Sequence, residues 1–232
     1  METQAEVKPT LAARFAGLQK RVISGLVMIT LALFCVLAGG MWFTALVLLA
    51  AVQMVREWDG LVEHSGPGWK WAGFAYVGLP CLALLWLRGV ETDVPNAGMK
   101  LVLYLMFVVW ATDIGAYFAG KRIGGPKLAP RISPSKTWAG LLGGMALAGG
   151  VGLLCATFTP YPSGVSACVW VGLLLAVVSQ GGDLFESWLK RQAGVKDSGT
   201  LIPGHGGLLD RIDGMLTGAP LFALMVALSG LA

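Results

Sequence analysis

Cysteine and histidine are scarce in this chain, and their placement excludes several kinds of site. The sequence has four cysteines and two histidines among 232 residues. Cys35, Cys81, Cys155 and Cys168 all lie in or beside apolar runs, without the CxxC spacing of a thiolate metal site. We therefore interpret the cysteines as small packing residues, and we expect neither a zinc site nor a disulfide framework.

Charged residues are also scarce. Asp, Glu, Lys and Arg make up 13% of the chain, whereas 56% of the residues are hydrophobic and the mean hydropathy is +0.70. This composition excludes an ordinary soluble domain. The 33 glycines suit close helix packing in lipid. We expect an integral membrane protein in a lipid bilayer, with no nucleic-acid partner.

Long apolar runs predict the fold class, because about seven of them approach the length that ~30 Å of hydrocarbon requires. We expect an all-α, polytopic protein with about seven transmembrane helices and a cytoplasmic N-terminus. The predicted spans are residues 22–39, 41–56, 71–88, 100–120, 138–158, 165–183 and 208–231. The predicted regions are a cytoplasmic arm (1–21), N-terminal transmembrane helices (22–100) and a catalytic transmembrane domain with two cytoplasmic loops (101–232).

The distribution of basic residues predicts the orientation. Short loops rich in Lys and Arg stay in the cytoplasm. Basic residues cluster in the N-terminal arm and at 121–136 and 190–211, whereas the loop after the third span carries Glu91 and Asp93. Both loops that could carry chemistry are therefore expected on the cytoplasmic face. Residues 57–70 have mixed charge and no motif, which we interpret as a solvated connection.

The densest group of charges lies between the last two spans, where residues 187–213 hold four basic and three acidic residues. Helical spacing places two sets of side chains on opposite faces at the end of span six. The polar face consists of Asp183, Glu186, Ser187 and Lys190, and the apolar face, expected toward lipid, of Leu184, Phe185, Trp188 and Leu189. A polar face toward a cavity suits intramembrane function, whereas a helix end emerging into water is the alternative.

Asp210 and Asp213 lie three residues apart at the start of the last span. Carboxylates this close repel each other unless a cation neutralises them. Asp183 flanks the same loop, so Asp183 and Asp210 could bind one Mg²⁺ together with substrate phosphate. Pairing of Asp213 with Arg211 or a neighbouring base is the alternative. The glycine-rich turn at 203–207 could form an anion-binding nest, in which His205 either contacts phosphate or holds the loop shape.

A second group of polar residues surrounds the fifth span. Asp113 lies inside span four beside small residues, and Ser133, Lys136 and Thr137 precede span five. Hydroxyls, backbone N–H groups and a fixed cation at this position suit a phosphate. The P-loop pattern is absent. A basic loop that only sets topology or touches anionic lipid is the alternative.

These residues resemble the phosphatidate cytidylyltransferase (CDP-diacylglycerol synthase) family. Ser187 through Asp213 satisfies every position of its signature, S-x-[LIVMF]-K-R-x4-K-D-x-[GSA]-x2-[LIF]-[PG]-x-H-G-G-[LIVMF]-x-D-R-[LIVMFT]-D. The segments Asp113-x-Gly-Ala-Tyr117 and Leu128-Ala-Pro-x-Ile-Ser-Pro-x-Lys-Thr-Trp138 are also similar to the family. Two departures are Ala139, where many members have an acidic or amide residue, and Gly125-Pro126 in place of the commoner Gly-Lys.

The resemblance implies a reaction of CTP with phosphatidic acid that gives CDP-diacylglycerol and pyrophosphate, in phospholipid biosynthesis at the inner membrane. It implies Mg²⁺, with Asp183 and Asp210 as ligands and Asp213 supporting them or holding a second cation. The expected catalytic residues are Asp183, Asp210, Lys136, Lys190 and Arg191. The expected substrate-binding residues are Asp113, Ser133, Thr137, Ser187, Lys196, Asp197, His205, Gly206, Gly207 and Arg211.

Three rival functions remain open at this stage. A CTP-dependent polyprenol or dolichol kinase would share the nucleotide and the membrane. A CDP-alcohol phosphatidyltransferase would need D-G-x2-A-R-x8-G-x3-D-x3-D, which is absent from the sequence. A transporter would use Asp113 and Asp183 near the bilayer midplane between repeated, broken helices, yet most charges gather at one face. The oligomeric state is open, with a homodimer as one option.

Overall fold

The structure is a computed structural model that describes residues 11–159 and 164–231, and this part of the chain contains seven long helices. They are α1 (Leu11–Ala38), α2 (Gly40–Leu61), α3 (Pro67–Gly89), α4 (Ala97–Arg122), α5 (Trp138–Cys155), α6 (Gly164–Gln192) and α7 (Leu209–Leu228). Each contains a segment long and apolar enough to cross a membrane. Even the shortest, α5, has 18 residues, about 27 Å at the rise of an α-helix.

The predicted fold class, an all-α protein with seven membrane-spanning helices, is confirmed. Residues 1–10 of the predicted arm lie outside the described residues, and residues 11–21 belong to α1. α6 continues to Gln192, past the predicted end of span six at residue 183. The prediction stopped where the apolar run stops, whereas the helix continues through residues whose polar and apolar side chains follow helical spacing.

The segment between α4 and α5 is a short hairpin, which the prediction missed. Strand β1 (Lys127–Ala129) pairs with strand β2 (Ser133–Thr137) in antiparallel orientation. Thr137 ends β2, and its Oγ1 accepts a hydrogen bond of 3.0 Å from the backbone N–H of Gly140. This contact caps the N-terminus of α5. Lys136 is thereby fixed at the junction of a strand and a helix.

Glycines bring α4 and α5 into close contact. A Cβ atom added to Gly115 would lie 2.4 Å from the carbonyl oxygen of Gly143, so the two backbones can approach this closely only because that side chain is absent. Asp113 lies on α4 half a turn before this crossing. The close packing therefore places Asp113 beside the N-terminal end of α5.

Residues 57–70 are not a solvated connection throughout, so that interpretation was wrong for part of the segment. α2 continues to Leu61, and α3 already begins at Pro67. Glu57 and Trp58 are buried, and the Trp58 indole N–H donates a 2.8 Å hydrogen bond to the Trp69 carbonyl. A packed helix terminus was therefore mistaken for a solvated loop, because the segment has mixed charge.

The apolar face at the end of α6 packs against protein, contrary to the predicted lipid contact. Phe185 lies 5.3 Å from Tyr76 and 6.4 Å from Trp58, between ring centroids. Trp188 lies 5.8 Å from Trp69. These aromatic contacts tie α6 to α2 and α3. All four cysteines are buried, which agrees with their interpretation as packing residues.

Candidate active site

A polar cavity of about 690 Å³ opens where the ends of four helices meet strand β2 and the loop between α6 and α7. The C-terminal ends of α4 and α6 and the N-terminal ends of α5 and α7 lie there, because consecutive spans alternate in direction. Five acidic residues line the cavity, namely Asp113, Asp183, Asp197, Asp210 and Asp213. Four basic residues also line it, namely Lys121, Lys136, Lys190 and Arg211. This mixture suits phosphate groups bound together with a cation.

Lys136 connects β2 to the end of α6. Its ammonium lies 2.5 Å from Asp183 Oδ2 and donates a 3.0 Å hydrogen bond to Gln180 Oε1. The Gln180 amide N–H in turn donates to Asp113 Oδ1 at 3.3 Å. The Asp183 side chain is 31% exposed, so it faces the cavity and a ligand can reach it.

Lys190 joins α6 to α7 in a more buried setting. Its ammonium lies 3.0 Å from Glu186 Oε1 and 2.5 Å from Asp210 Oδ1. The second oxygen of Asp210 accepts hydrogen bonds from Ser198 N–H, Ser198 Oγ and Gly207 N–H at 2.8, 2.9 and 2.9 Å. The Asp210 side chain is only 3% exposed. Asp210 is therefore a fixed anchor for the loop as well as a wall of the cavity.

Asp213 lies one turn further along α7, where its Oδ1 accepts a 2.8 Å hydrogen bond from Gly214 N–H. In the part of the chain that the structure describes, the three ion pairs all involve Lys136 or Lys190. The alternative in which Asp213 pairs with Arg211 therefore has no support here. Asp213 keeps its place on the cavity wall beside Asp183.

The glycine-rich turn folds back on itself and contacts α1. Ile202 and Gly206 form an isolated antiparallel bridge, and Gly204 and Gly206 have φ of 78° and 82°, which glycine adopts without strain. His205 Nδ1 lies 2.8 Å from Ser24 Oγ. Partial burial and the nearby charges of Arg211 and Arg21 lower the pKa of His205. The contact with α1 supports the loop-shaping role of His205.

The structure brings most of the predicted site residues to one cavity. The predicted residues that line it are Asp113, Lys136, Thr137, Asp183, Lys190, Asp197, Asp210, Arg211 and Asp213. The predicted residues outside this lining are Ser133, Ser187, Arg191, Lys196, His205, Gly206 and Gly207. Among them, Ser187 Oγ donates to Asp183 Oδ1 at 3.3 Å, and Arg191 and Lys196 are exposed.

Sequence reasoning missed three polar residues that hold the site together. Gln180 links Lys136 to Asp113, and Ser198 donates to Asp210. Glu57 accepts hydrogen bonds from the start of α7. Gln180 did carry a signal, since it is an amide within an apolar span. Ser198 and Glu57 carried none, because their partners lie far away in sequence or depend on the loop fold.

Comparison with known proteins identifies the family that the sequence resembles, and the similarity extends over most of the chain. The model of the cytidylyltransferase family matches residues 70–229. A phosphatidate cytidylyltransferase of Brucella suis biovar 1 (strain 1330) is 50% identical over 178 residues, which cover 77% of this chain. The same alignment covers 62% of the Brucella protein, so the chain spans less than two thirds of that relative.

A relative of matching length extends the similarity to nearly the whole chain. A phosphatidate cytidylyltransferase of Rickettsia typhi (strain ATCC VR-144 / Wilmington) is 35% identical over 229 residues. That alignment covers 96% of this chain and 97% of the Rickettsia protein. The matched region contains all the helices that form the cavity. On this similarity and the geometry above, the chain belongs to the cytidylyltransferase family.

Proposed function

We propose that this chain transfers the cytidylyl group of CTP to phosphatidic acid, giving CDP-diacylglycerol and pyrophosphate. The observation that carries this proposal is the 690 Å³ cavity, in which acidic and basic side chains meet at one end of a membrane bundle. A cavity of this size suits a nucleotide-sized ligand. The names of the Brucella and Rickettsia relatives support the same reaction.

The basic residues of the cavity suit the phosphates of both substrates. Lys136 and Lys190 are held by carboxylates at fixed positions, while Lys121 and Arg211 are exposed on the cavity wall. Arg191 and Lys196 are exposed nearby and could guide an anionic headgroup toward the cavity. Fixed cations at the point where negative charge develops lower the barrier, because they need no reorganisation during the reaction.

Mg²⁺ is the proposed cofactor. No three acidic, His or Cys side chains of the described residues are arranged to hold a metal ion by themselves, so the protein would supply one or two carboxylates and the substrate phosphates the remaining oxygens, which is usual for Mg²⁺. Five carboxylates against four basic residues leave room for a cation in the cavity, and carboxylate oxygens are ligands that Mg²⁺ prefers. Asp183 and Asp213, which both line the cavity, would hold the ion. Asp210 is held by Lys190, Ser198 and Gly207, and its role as a third ligand stays a prediction. When bound, Mg²⁺ would neutralise triphosphate charge and polarise the α-phosphoryl group. A second cation stays a prediction.

The chemical step follows from this arrangement. An oxygen of the phosphatidate headgroup attacks the α-phosphorus of CTP and forms a new P–O bond. The bond from the α-phosphorus to the bridging oxygen breaks, and pyrophosphate leaves with the electron pair. The nucleophile is already ionised at neutral pH, so no side chain has to act as a general base. Lys136 and Lys190 position the phosphates and balance the charge on the leaving group.

Labelled CTP separates this proposal from its rivals. The purified protein is assayed in mixed micelles containing phosphatidate, a polyprenol and Mg²⁺, with label either in the cytidine or in the γ-phosphate. Cytidine label in chloroform-extractable lipid, with equal release of pyrophosphate, is the expected result. Transfer of γ-label to a polyprenol would instead indicate a kinase, and no transfer from either position would contradict both enzymes. Asp183→Asn is the inactive control, and Asp59→Asn, on an exposed part of α2, is the matched control.

We also propose that the cavity faces the cytoplasm in the inner membrane. The bundle end that carries the cavity also carries the basic loops, whereas the opposite end has Glu91 and Asp93. Cysteines at Lys127 and Gln192, in a chain without the native cysteines, should stay protected from a membrane-impermeant thiol reagent in intact cells. A cysteine at Glu91 should react. Labelling of either cytoplasmic position would contradict this orientation. The homodimer stays a prediction.

A further inference from the structure

Glu57 is a buried carboxylate in the last turn of α2, far in sequence from the cavity residues. Its side chain is almost completely enclosed, with the residue 5% exposed. Oε1 accepts hydrogen bonds from Gln53 Nε2 and Leu208 N–H, both at 2.9 Å. Oε2 accepts from Leu209 N–H at 2.8 Å and from Ser198 Oγ at 3.2 Å. No basic residue pairs with Glu57 in the described part of the chain.

These partners make Glu57 the cap of another helix. The first N–H groups of an α-helix have no partner within the helix, and Leu208, which precedes α7, supplies no side-chain cap. The carboxylate of Glu57 accepts from two of these N–H groups and places negative charge at the positive end of the helix dipole. α2 therefore holds the N-terminus of α7.

Gly207 leaves the space that this contact needs. A Cβ atom at Gly207 would lie 2.2 Å from Ser198 Oγ and 2.6 Å from Glu57 Oε2, so a larger residue would force the hydroxyl and the carboxylate out of their present positions. Gly207 N–H meanwhile donates to Asp210. Gly207 of the signature turn thus leaves space for a carboxylate from a separate helix, in addition to allowing the turn itself.

Ser198 connects Glu57 to the cavity. Its single hydroxyl proton is shared between Glu57 Oε2 at 3.2 Å and Asp210 Oδ2 at 2.9 Å. Leu209, whose N–H binds Glu57, directly precedes Asp210. Arg211 lies in the same first turn of α7, and Asp213 begins the next turn. Movement of this turn would displace all three cavity residues together.

We propose that Glu57 is a positioning residue for the reaction, which fixes the first turn of α7 and through it Asp210 and Asp213. The inference rests on the proposed cytidylyl transfer. Glu57 touches none of the reacting groups, and it acts through the backbone of Leu208 and Leu209. Its effect should therefore fall mainly on the chemical step, where geometry matters most. Capture of either substrate should change less, because Arg211 is one of four basic residues that line the cavity.

Glu57→Gln tests this with the full-length protein in lipid micelles. The amide has nearly the same shape but loses the charge and one acceptor, so kcat should fall roughly ten- to a hundred-fold. KM for CTP should change by less than about threefold. Hydrogen exchange of peptides covering 205–213 should accelerate, while peptides from α4 stay unchanged. Asp59→Asn, which removes an exposed charge two residues away, should leave both measurements unaltered.

The readouts distinguish failure of this inference from failure of the proposed function. No lipid product from the wild type would overturn the proposed function and the catalytic consequence, while exchange at 205–213 would still decide whether Glu57 holds α7. Wild-type kcat in Glu57→Gln, or unchanged exchange, would overturn the positioning role. So would a Glu57→Gln protein that does not fold, because the role would then be structural. Glu57→Ala should show larger effects in the same direction.

Discussion

The two lysine–carboxylate pairs beside the cavity have similar distances and different surroundings. Lys136 and Asp183 are in contact at 2.5 Å, and Asp183 is 31% exposed. Lys190 and Asp210 are also 2.5 Å apart, but Asp210 is 3% exposed and accepts three further hydrogen bonds. An exposed carboxylate can exchange its partner for water or a ligand, whereas a buried one depends on its fixed partners. The first pair is therefore suited to respond to substrate, and the second to hold the loop.

Replacing each aspartate by asparagine should give the largest effects and separate the two pairs. Asp183→Asn should reduce turnover by orders of magnitude with a nearly unchanged thermal midpoint, because Asp183 is partly solvated. Asp210→Asn should reduce turnover similarly and also lower stability. Removing one partner of a buried pair typically costs about 3–5 kcal/mol. The measurements are kcat and the thermal midpoint in detergent.

Equal thermal midpoints for the two asparagine variants would contradict the division between a responsive and a structural pair. Near-normal turnover in either variant would remove that aspartate from the proposed metal site. Asp59→Asn serves as the control for loss of one acidic charge at an exposed position of α2.

Replacing each lysine by methionine should give smaller effects, which again distinguish the Lys136–Asp183 pair from the Lys190–Asp210 pair. Lys190→Met leaves Glu186 and Asp210 buried beside each other without a base, so stability should fall. Lys136→Met leaves Asp183 partly in water, so stability should change by less than about 1 kcal/mol. A charge-assisted phosphate contact contributes about 1.5–3 kcal/mol, so kcat/KM for CTP should fall roughly ten- to a hundred-fold in Lys136→Met.

Lys136→Arg should restore part of this activity, because a planar guanidinium replaces a compact ammonium. The assay is kcat/KM for CTP at saturating phosphatidate, with thermal stability measured in parallel. If Lys136→Met lost stability as much as Lys190→Met, the Lys136–Asp183 pair would be structural. Unchanged kinetics would exclude Lys136 from phosphate binding.

The sequence predicted the seven spans because each consists of an apolar run near membrane thickness. It also predicted the polar face of α6, since Asp183 and Lys190 follow helical spacing. The pairing of Lys136 with Asp183 could not be predicted from the sequence, because that contact depends on how α5 and α6 align. The β1–β2 hairpin was missed because its short strands lack a regular alternation of apolar and polar residues. Glu57 was missed because its acceptor role exists only after α2 and α7 pack together.

The smallest expected effect concerns the glycine-rich turn and its contact with α1. The pKa of His205 lies below its ordinary value of about 6.5, so the unfolded chain binds a proton more readily than the folded turn does. The turn should be fully stable above about pH 6.5 and should weaken as the pH falls toward the lowered pKa. Because the side chain is near the surface, the change should be modest. Hydrogen exchange of a peptide covering 202–207 should therefore be faster at pH 5 than at pH 7, beyond the intrinsic effect of pH. His205→Gln, which cannot titrate, should abolish this difference, and an equal difference in that variant would assign the pH effect to another group.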